Sequence, residues 1–248
     1  MKSDNLDARM RRLEAYHGLE VLPGLHPVVR VDGRSFTKLT RGMEHPFDIK
    51  FHDCMVATAT ALLVELGGLY AFTESDEISV LLPPDTDLFG REVEKIVSIS
   101  AGVASATFSL ELGKAAHFDS RVWVGVSEVD VIDYFRWRQS DASRCCLNSW
   151  CYWTLRKSGC TVKQATEALE GQSFSAKNEL LFKHGINFNN VSTWQKRGVG
   201  LYWEDFEKAG FNPKLKTTST AIRRRICVDR ELPRGLDYAD LVIKVGKL

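Results

Sequence analysis

The first strongly apolar stretch, Pro27 to Val31, is a near-continuous β-branched run that predicts a buried strand. Asp48 to Leu66 then carries the spacing of an amphipathic helix, which Gly67-Gly68 ends. Leu69 to Thr73 predicts a second strand, and Glu74-Ser75-Asp76 a turn. Ile78, Val80 and Leu82 alternate as a third strand that Pro83-Pro84 stops. Arg91 to Leu112 returns to helical spacing through Val93, Ile96, Val97, Val103 and Phe108, and Arg121 to Val126 predicts a fourth strand. The order βαββαβ is that of a ferredoxin-like unit.

Such a unit places its first and third strands side by side and antiparallel, so the end of one lies beside the start of the other. Asp32 closes the first strand, while Asp76 and Glu77 open the third. Three acidic side chains from two separate segments are therefore expected to meet at one edge of the sheet. Beyond Val126 the pattern is mainly helical: Val129 to Arg138, Asp141 to Lys157, Thr161 to Leu169 behind a Thr161-x-x-Gln164 capping box, and Ser173 to His184. Hairpin-like material follows at Trp194 to Trp203, with a turn at Lys196-Arg197-Gly198, and Lys214 to Asp229 alternates like a further strand pair. Met1 to Glu20 is charged and helix-prone. No repeat, low-complexity segment or linker interrupts the chain.

Composition narrows the class. With 248 residues and 44% hydrophobic content the chain can build a core, and 33 basic against 32 acidic residues leave a net charge of +1, so any nucleic-acid surface must be local. Lys214, Lys216, Arg223, Arg224, Arg225, Arg230 and Arg234 crowd the last quarter, although a run such as Arg223 to Arg225 reads by itself as a solvated strand or loop. The cysteines Cys54, Cys145, Cys146, Cys151, Cys160 and Cys227 form no C-x-x-C pair, which argues for reduced thiols in a cytoplasmic protein and against structural zinc. No apolar run approaches the roughly 20 residues that cross a bilayer, so a soluble protein with no membrane partner is expected. His45, His52, His117 and His184 lack metal-ligand spacing; His45 falls near the expected nucleotide pocket but reads as a surface residue. The absence of Gly-x-Gly-x-x-Gly, Walker and Gly-x-Ser-x-Gly motifs argues against dinucleotide binding, P-loop ATPase activity and serine hydrolysis. Trp150, Tyr152, Trp153, Trp194 and Trp203 read as core rather than as base-stacking platforms.

Asp32-Gly33 alone is an ordinary strand-ending turn, and Asp76-Glu77 alone an ordinary hairpin. Topology makes them a candidate metal site, with the Gly33 carbonyl free to approach the same ion. Two magnesium ions about 4 Å apart can activate an attacking hydroxyl and stabilise a leaving phosphate. Palm polymerases and nucleotide cyclases share that arrangement, so the product stays open between them. A ferredoxin-like sheet can also serve as a non-catalytic RNA-binding module.

Five segments then fall in order between about residue 27 and residue 203: Val28-Val29-Arg30-Val31-Asp32-Gly33-Arg34-Ser35-Phe36, Ser75-Asp76-Glu77, Phe118-Asp119-Ser120-Arg121-Val122, Trp137-Arg138-Gln139-Ser140-Asp141 and Lys177-Asn178-Glu179-Leu180-Leu181-Phe182. Together they resemble the tRNA-His guanylyltransferase superfamily. The resemblance implies an α+β chain with a palm-like catalytic core at 1–128 and a helical and hairpin region at 129–248 packed on it. It implies a 3′-to-5′ polymerase that adds nucleotides to the 5′ end of tRNA, using two Mg2+ ions with ATP and GTP or other nucleoside triphosphates as substrates, and working as a homotetramer. Carried over by position, Asp32, Gly33 and Asp76 match the metal ligands, and Glu77 is an acid of the same catalytic constellation. Arg34, Ser35, Phe36, Asp48 and Ser75 fall where nucleotide is contacted. Lys177 and Asn178 match a helix start that holds triphosphate or the RNA end, while Arg30 and Arg121 match phosphate contacts. Where eukaryotic members read His-Ile-Asn-Asn, this chain has Ser143-Arg144-Cys145-Cys146. That departure makes it more similar to the bacterial and archaeal guanylyltransferase-like proteins, for which repair of 5′-truncated tRNA is implied. Arg144 itself reads as a helix-surface arginine.

Overall fold

The computed structural model describes residues 3–212 and 217–248. A short helix α1 (Ser3–Arg11) precedes β1 (His26–Gly33), the single-turn α2 (Phe36–Leu39), α3 (Ile49–Glu65), β2 (Tyr70–Glu74), β3 (Glu77–Leu81), α4 (Val93–Leu112) and β4 (Phe118–Gly125). The second half comprises α5 (Glu128–Lys157), α6 (Val162–Leu169), α7 (Phe174–Lys183), α8 (Thr193–Arg197), β5 (Val199–Asn212), β6 (Thr217–Asp229) and α9 (Leu236–Gly246). One six-stranded sheet runs β4-β1-β3-β2-β5-β6. Its first four strands have the ferredoxin-like order, and β1 pairs antiparallel with β3 from Val28↔Leu81 to Asp32↔Glu77, as the element order predicts.

Alternation along the strands sorts side chains onto two buried faces. Val29, Val31, Ala71, Ile78 and Val80 pack under Met55, Ala59, Leu62 and Leu63 of α3 and Ile96, Ala104 and Phe108 of α4. Val28, Tyr70, Phe72 and Leu81 face the other way, against Val131, Tyr134 and Phe135 of α5 and Tyr238 and Val242 of α9. Each such large apolar side chain contributes about 1.5–3 kcal/mol on burial. The phenols that reach this second core find partners, Tyr70 with Tyr238 at 3.0 Å and Tyr134 with Ser79 at 2.9 Å. The second half thus covers the face that α3 and α4 leave open, and a third cluster of Cys146, Leu147, Cys151, Leu169, Leu181 and Phe188 joins α5 to α6 and α7.

Four expectations are corrected. The two helices expected at Val129 to Arg138 and Asp141 to Lys157 are the single 30-residue α5, which starts at a Ser127/Asp130 capping box. Arg138 and Gln139 interrupted the apolar period because both are polar yet only 5% and 6% exposed; Gln139 donates to the Pro233 carbonyl at 2.9 Å. At Trp194 to Trp203 the expected hairpin is instead α8, ended at Gly198 with φ 73°, followed by the start of β5. The strand pair expected at Lys214 to Asp229 is one strand, β6, whose partner is β5 from Gly200↔Asp229 to Asn212↔Thr217; Lys214 and Lys216 lie outside the described residues. Finally, α4 is long and apolar enough to cross a membrane by length and composition. Its Ile96, Ser100, Ala104 and Phe108 stripe is buried against the sheet.

Gly68 links α3 to β2 where backbone and core meet. A Cβ there would lie 2.5 Å from Val80 Cγ1, 3.0 Å from Leu63 Cδ1 and 3.3 Å from the Leu81 carbonyl oxygen. Gly68→Ala is expected to cost about 1–3 kcal/mol through overpacking, read as a lower urea midpoint at unchanged m-value.

Candidate active site

Register places four carboxylates in a single row across the end of the sheet: Asp119 opposite Asp32, Asp32 opposite Glu77, and Glu77 opposite Glu74. Residues directly opposite share a face, and like charges so placed repel. The neighbouring row on that face carries Arg121 and Arg30. Above the acids lies Arg138 of α5. Its Nε donates to Glu77 Oε1 at 2.6 Å, and its Nη2 donates to Glu77 Oε2 at 3.0 Å, Asp141 Oδ2 at 3.1 Å and Glu74 Oε1 at 3.2 Å. Arg30 Nε lies 3.7 Å from Glu77 Oε2, and Arg121 Nη2 donates to Asp119 at 2.9 Å. The Arg138 and Arg30 guanidiniums flank Trp137, 4.6 and 5.7 Å from its ring centre. Among the described residues, Asp32 and Asp76 have no such counter-charge.

Asp76 belongs to the two-residue turn Ser75-Asp76 that joins β2 to β3, with Ser75 held at φ 49°. Gly33 N–H donates to the Asp76 carbonyl at 3.0 Å, tying the end of β1 to this turn. Burial raises the Asp76 pKa, and the neighbouring Asp32 charge raises it further. Burial also raises Glu77, against the pull of Arg138 and Arg30. Glu74 is pushed up to about 8 by burial and then by Glu77.

The structure gathers only part of the expected nucleotide set. A cavity of about 600 Å³ opens beside the turn, with Phe36, Asp48, Ser75 and Asp76 among its lining residues. That volume suits a nucleotide. Phe36 is chiefly core, 4% exposed, with Phe118, Phe108 and Phe51 rings at 5.0, 5.2 and 5.9 Å. Gly33 accommodates it, since a Cβ there would come within 2.6 Å of the Phe36 ring. Arg34 is exposed, its N–H donating to the His117 carbonyl at 2.8 Å, and Ser35 sits left-handed at φ 63° before α2. Asp48 caps α3, accepting from Phe51 N–H at 2.9 Å and Glu44 N–H at 3.0 Å, bonds that lower its pKa. Lys177 and Asn178 do not line the cavity: Lys177 donates to Asn148 at 3.1 Å, and Asn178 to its own helix at Phe174.

Other residues were not legible as site residues. Glu74 and, from α5, Cys145, Cys146, Ser149 and Trp153 line the cavity. His45, expected at the surface, stacks on Trp153 with ring centres 3.7 Å apart and planes within 4°. Trp194 and His52 close another part of the wall, 4.1 Å apart. In the Ser143 to Cys146 departure, Ser143 donates to the Lys196 carbonyl at 2.6 Å, and Arg144 pairs with Asp141 on the exposed side of α5. The signal for Arg138 was its place in the Trp137 to Asp141 motif, at an inward helical position.

Among the described residues no group of three or more His, Cys, Asp or Glu side chains is disposed to hold a metal ion. The three-acid cage is therefore corrected: Glu77 is committed to Arg138 and Arg30. What remains is the Asp32 and Asp76 carboxylates with the Gly33 carbonyl. Such a sparse set of hard oxygens fits Mg2+, which retains waters and takes further ligands from substrate phosphates.

A ferredoxin-like sheet whose edge presents two uncompensated acids beside a nucleotide-sized cavity defines a palm-type nucleotidyltransferase. Residues 7–126 match the family model for tRNAHis guanylyltransferase, and residues 129–231 match the Thg1 C terminal domain. The chain is 35% identical over 207 residues to the tRNA(His) guanylyltransferase of Debaryomyces hansenii, covering 77% of this chain and 78% of that protein. It is 34% identical to a probable tRNA(His) guanylyltransferase of Drosophila melanogaster, covering 73% and 68%. A bacterial tRNA(His) guanylyltransferase-like protein in complex with GTP superposes with a TM-score of 0.75 at 27% identity, covering 98% of this chain and 100% of that one. The Saccharomyces cerevisiae tRNA(His) guanylyltransferase gives 0.69 at 27%, covering 75% and 90%. This chain belongs to the tRNAHis guanylyltransferase family.

Two stability effects follow from the site. Asp76→Asn removes a half-buried charge that Asp32 repels, so in EDTA it should raise the melting temperature; calorimetry checks this. Burial, then Arg230, lowers the His52 pKa from 6.5 to about 4. His52 is therefore neutral in the fold, while the unfolded chain takes up its proton between those values. Its contribution is complete above pH 6.5 and lost as pH falls towards 4. Stability should drop by on the order of 3 kcal/mol over that window, and His52→Asn should flatten this part of a denaturant-measured pH profile.

Proposed function

We propose that the chain adds nucleotides in the 3′-to-5′ direction to the 5′ end of tRNA, with 5′-truncated tRNAs as substrates. The observation that carries this reading is the pair Asp32 and Asp76, left without counter-charge at the β2–β3 turn, with Asp76 lining the cavity. Bound there, two Mg2+ ions would neutralise the acids, lower the pKa of an attacking hydroxyl and stabilise the departing phosphate. Asp32, Asp76 and the Gly33 carbonyl would hold them. In the first step a 5′-phosphate oxygen of the RNA attacks the α-phosphorus of ATP, and pyrophosphate leaves. In the second, the 3′-hydroxyl of an incoming nucleotide attacks the activated 5′-phosphorus, its proton is lost, and AMP leaves. The opposite tRNA strand selects the base by pairing.

Within the chain, the cavity orients the nucleotide, and the Asp48 carboxylate and His45–Trp153 stack set its walls. Arg121 holds Asp119 only through an exposed pair, an interaction weak enough to exchange for a phosphate. The likeness to a bacterial protein bound to GTP, and to one bound to ATP with a TM-score of 0.74, supports triphosphate binding here. Cys145 and Cys146 in the cavity wall, at the departure from the eukaryotic pattern, favour repair over dedicated reading of the histidine tRNA. A homotetramer in the cytoplasm completes this reading, to be checked by light scattering.

The test is incubation of the chain with ATP, GTP, Mg2+ and a tRNA lacking its first nucleotide. Labelled nucleotide should enter at the 5′ end, EDTA should stop it, and Asp32→Ala or Asp76→Ala should lower it more than about a hundredfold with the fold intact. Full activity in either variant refutes the assignment. Cyclic product from triphosphate without RNA would make the chain a cyclase, and Mg2+-indifferent RNA binding with no product would make it a binding module.

A further inference from the structure

The acid row raises a question that the two metal-binding carboxylates do not answer: what keeps Glu74 and Glu77 from competing with them. Glu74 and Glu77 flank the Ser75-Asp76 turn and face one another across the β2–β3 hairpin. Both side chains are nearly buried, 9% and 13% exposed, so water screens their repulsion poorly. Unopposed, the pair would either share a proton or push apart the two strand ends that define the turn, and their oxygens would offer a divalent cation a rival site.

Arg138 reaches both, 61 and 64 residues away in the chain. Its guanidinium takes Glu77 in a two-pronged grip through Nε and Nη2, and the same Nη2 donates to Glu74 and to Asp141 on its own helix. Trp137 lies against the guanidinium face. The turn between the gripped residues is backbone-strained at Ser75, a conformation that persists only where its surroundings over-determine it. Arg138 is 5% exposed and lines no part of the cavity, so neither nucleotide nor RNA is its partner in this arrangement.

We propose that Arg138 is a positioning residue of the metal site. By gripping the residues on either side of the Ser75-Asp76 turn, it presents Asp76 to Asp32 and withholds Glu74 and Glu77 from the cation. This rests on the reading that Asp32 and Asp76 hold Mg2+.

Mn2+ is the probe, titrated into the full chain without nucleotide or RNA and followed by the paramagnetic resonance of the free ion, beside a thermal melt. Asp32→Ala comes first: if it binds Mn2+ like the parent, the metal reading falls and the clamp with it. Arg138→Gln removes a positive charge beside the site, so Coulomb attraction alone would tighten Mn2+ binding. The clamp requires the opposite, a loss of about ten- to a hundredfold, the effect usual when the partners of metal ligands are removed. The rate of nucleotide addition should fall with it while KM for tRNA holds. Arg138→Lys keeps the charge without the fork and should share the loss. Arg136→Gln, whose exposed side chain on the same helix pairs only with Asp133 among the described residues, should bind within about twofold of the parent, the size of context effects at surface pairs. Unchanged or tighter Mn2+ binding by folded Arg138→Gln overturns the proposal, and if that variant does not melt cooperatively, Arg138→Lys decides by the same criterion.

Discussion

Four carboxyl groups in one cross-strand row repel wherever they ionise, and Arg138, Arg30 and Arg121 are placed to answer that repulsion. Two are met from above by Arg138, one of these also by Arg30, and a third at the edge by Arg121. Asp32 is left over, with Asp76 beside it. The unevenness matters more than the total. A row neutralised throughout would have no affinity for a cation, whereas one left wholly bare could not be buried.

Helix α5 is long and unbroken because it carries two tasks along one axis. Its first half seals the sheet through Val131, Tyr134 and Phe135 and delivers Arg138 to the acids. Its second half brings Cys145, Ser149 and Trp153 to the cavity wall. The acid turn and the nucleotide-sized space are therefore referenced to the same rigid element, a condition for in-line chemistry, where small displacements cost large factors in rate. Ser35 and Ser75, both left-handed, mark where the chain bends sharply on either side of this edge.

The basic run Arg223 to Arg225 lies on β6, and its charges are largely answered within the hairpin. Arg225 meets Glu204 at 2.5 Å and Arg224 approaches Asp205 at 3.9 Å, while their guanidiniums lie over Phe206 and Trp203. The plain reading of that run, a solvated strand, is the one the pairing supports.

The meeting of Asp32 with the acids of the β2–β3 turn could be read from element order alone, because hydrophobic period, glycine stops and capping boxes are set by near neighbours and fix which strands must pair. The Thr161/Gln164 box and the antiparallel β1–β3 register are of this kind. Which acids are held by arginine and which are left free was decided only by the tertiary structure. The resemblance separated Asp76 from Glu77, but the reason lies in the fold, because Arg138 reaches Glu77 from a helix that the polar pair Arg138-Gln139 makes look broken. The same holds for His45 on Trp153 and for β5 as the partner of β6. A charge or an aromatic ring acquires its role from what lies within a few ångströms, and for these residues that neighbour comes from a distant part of the chain.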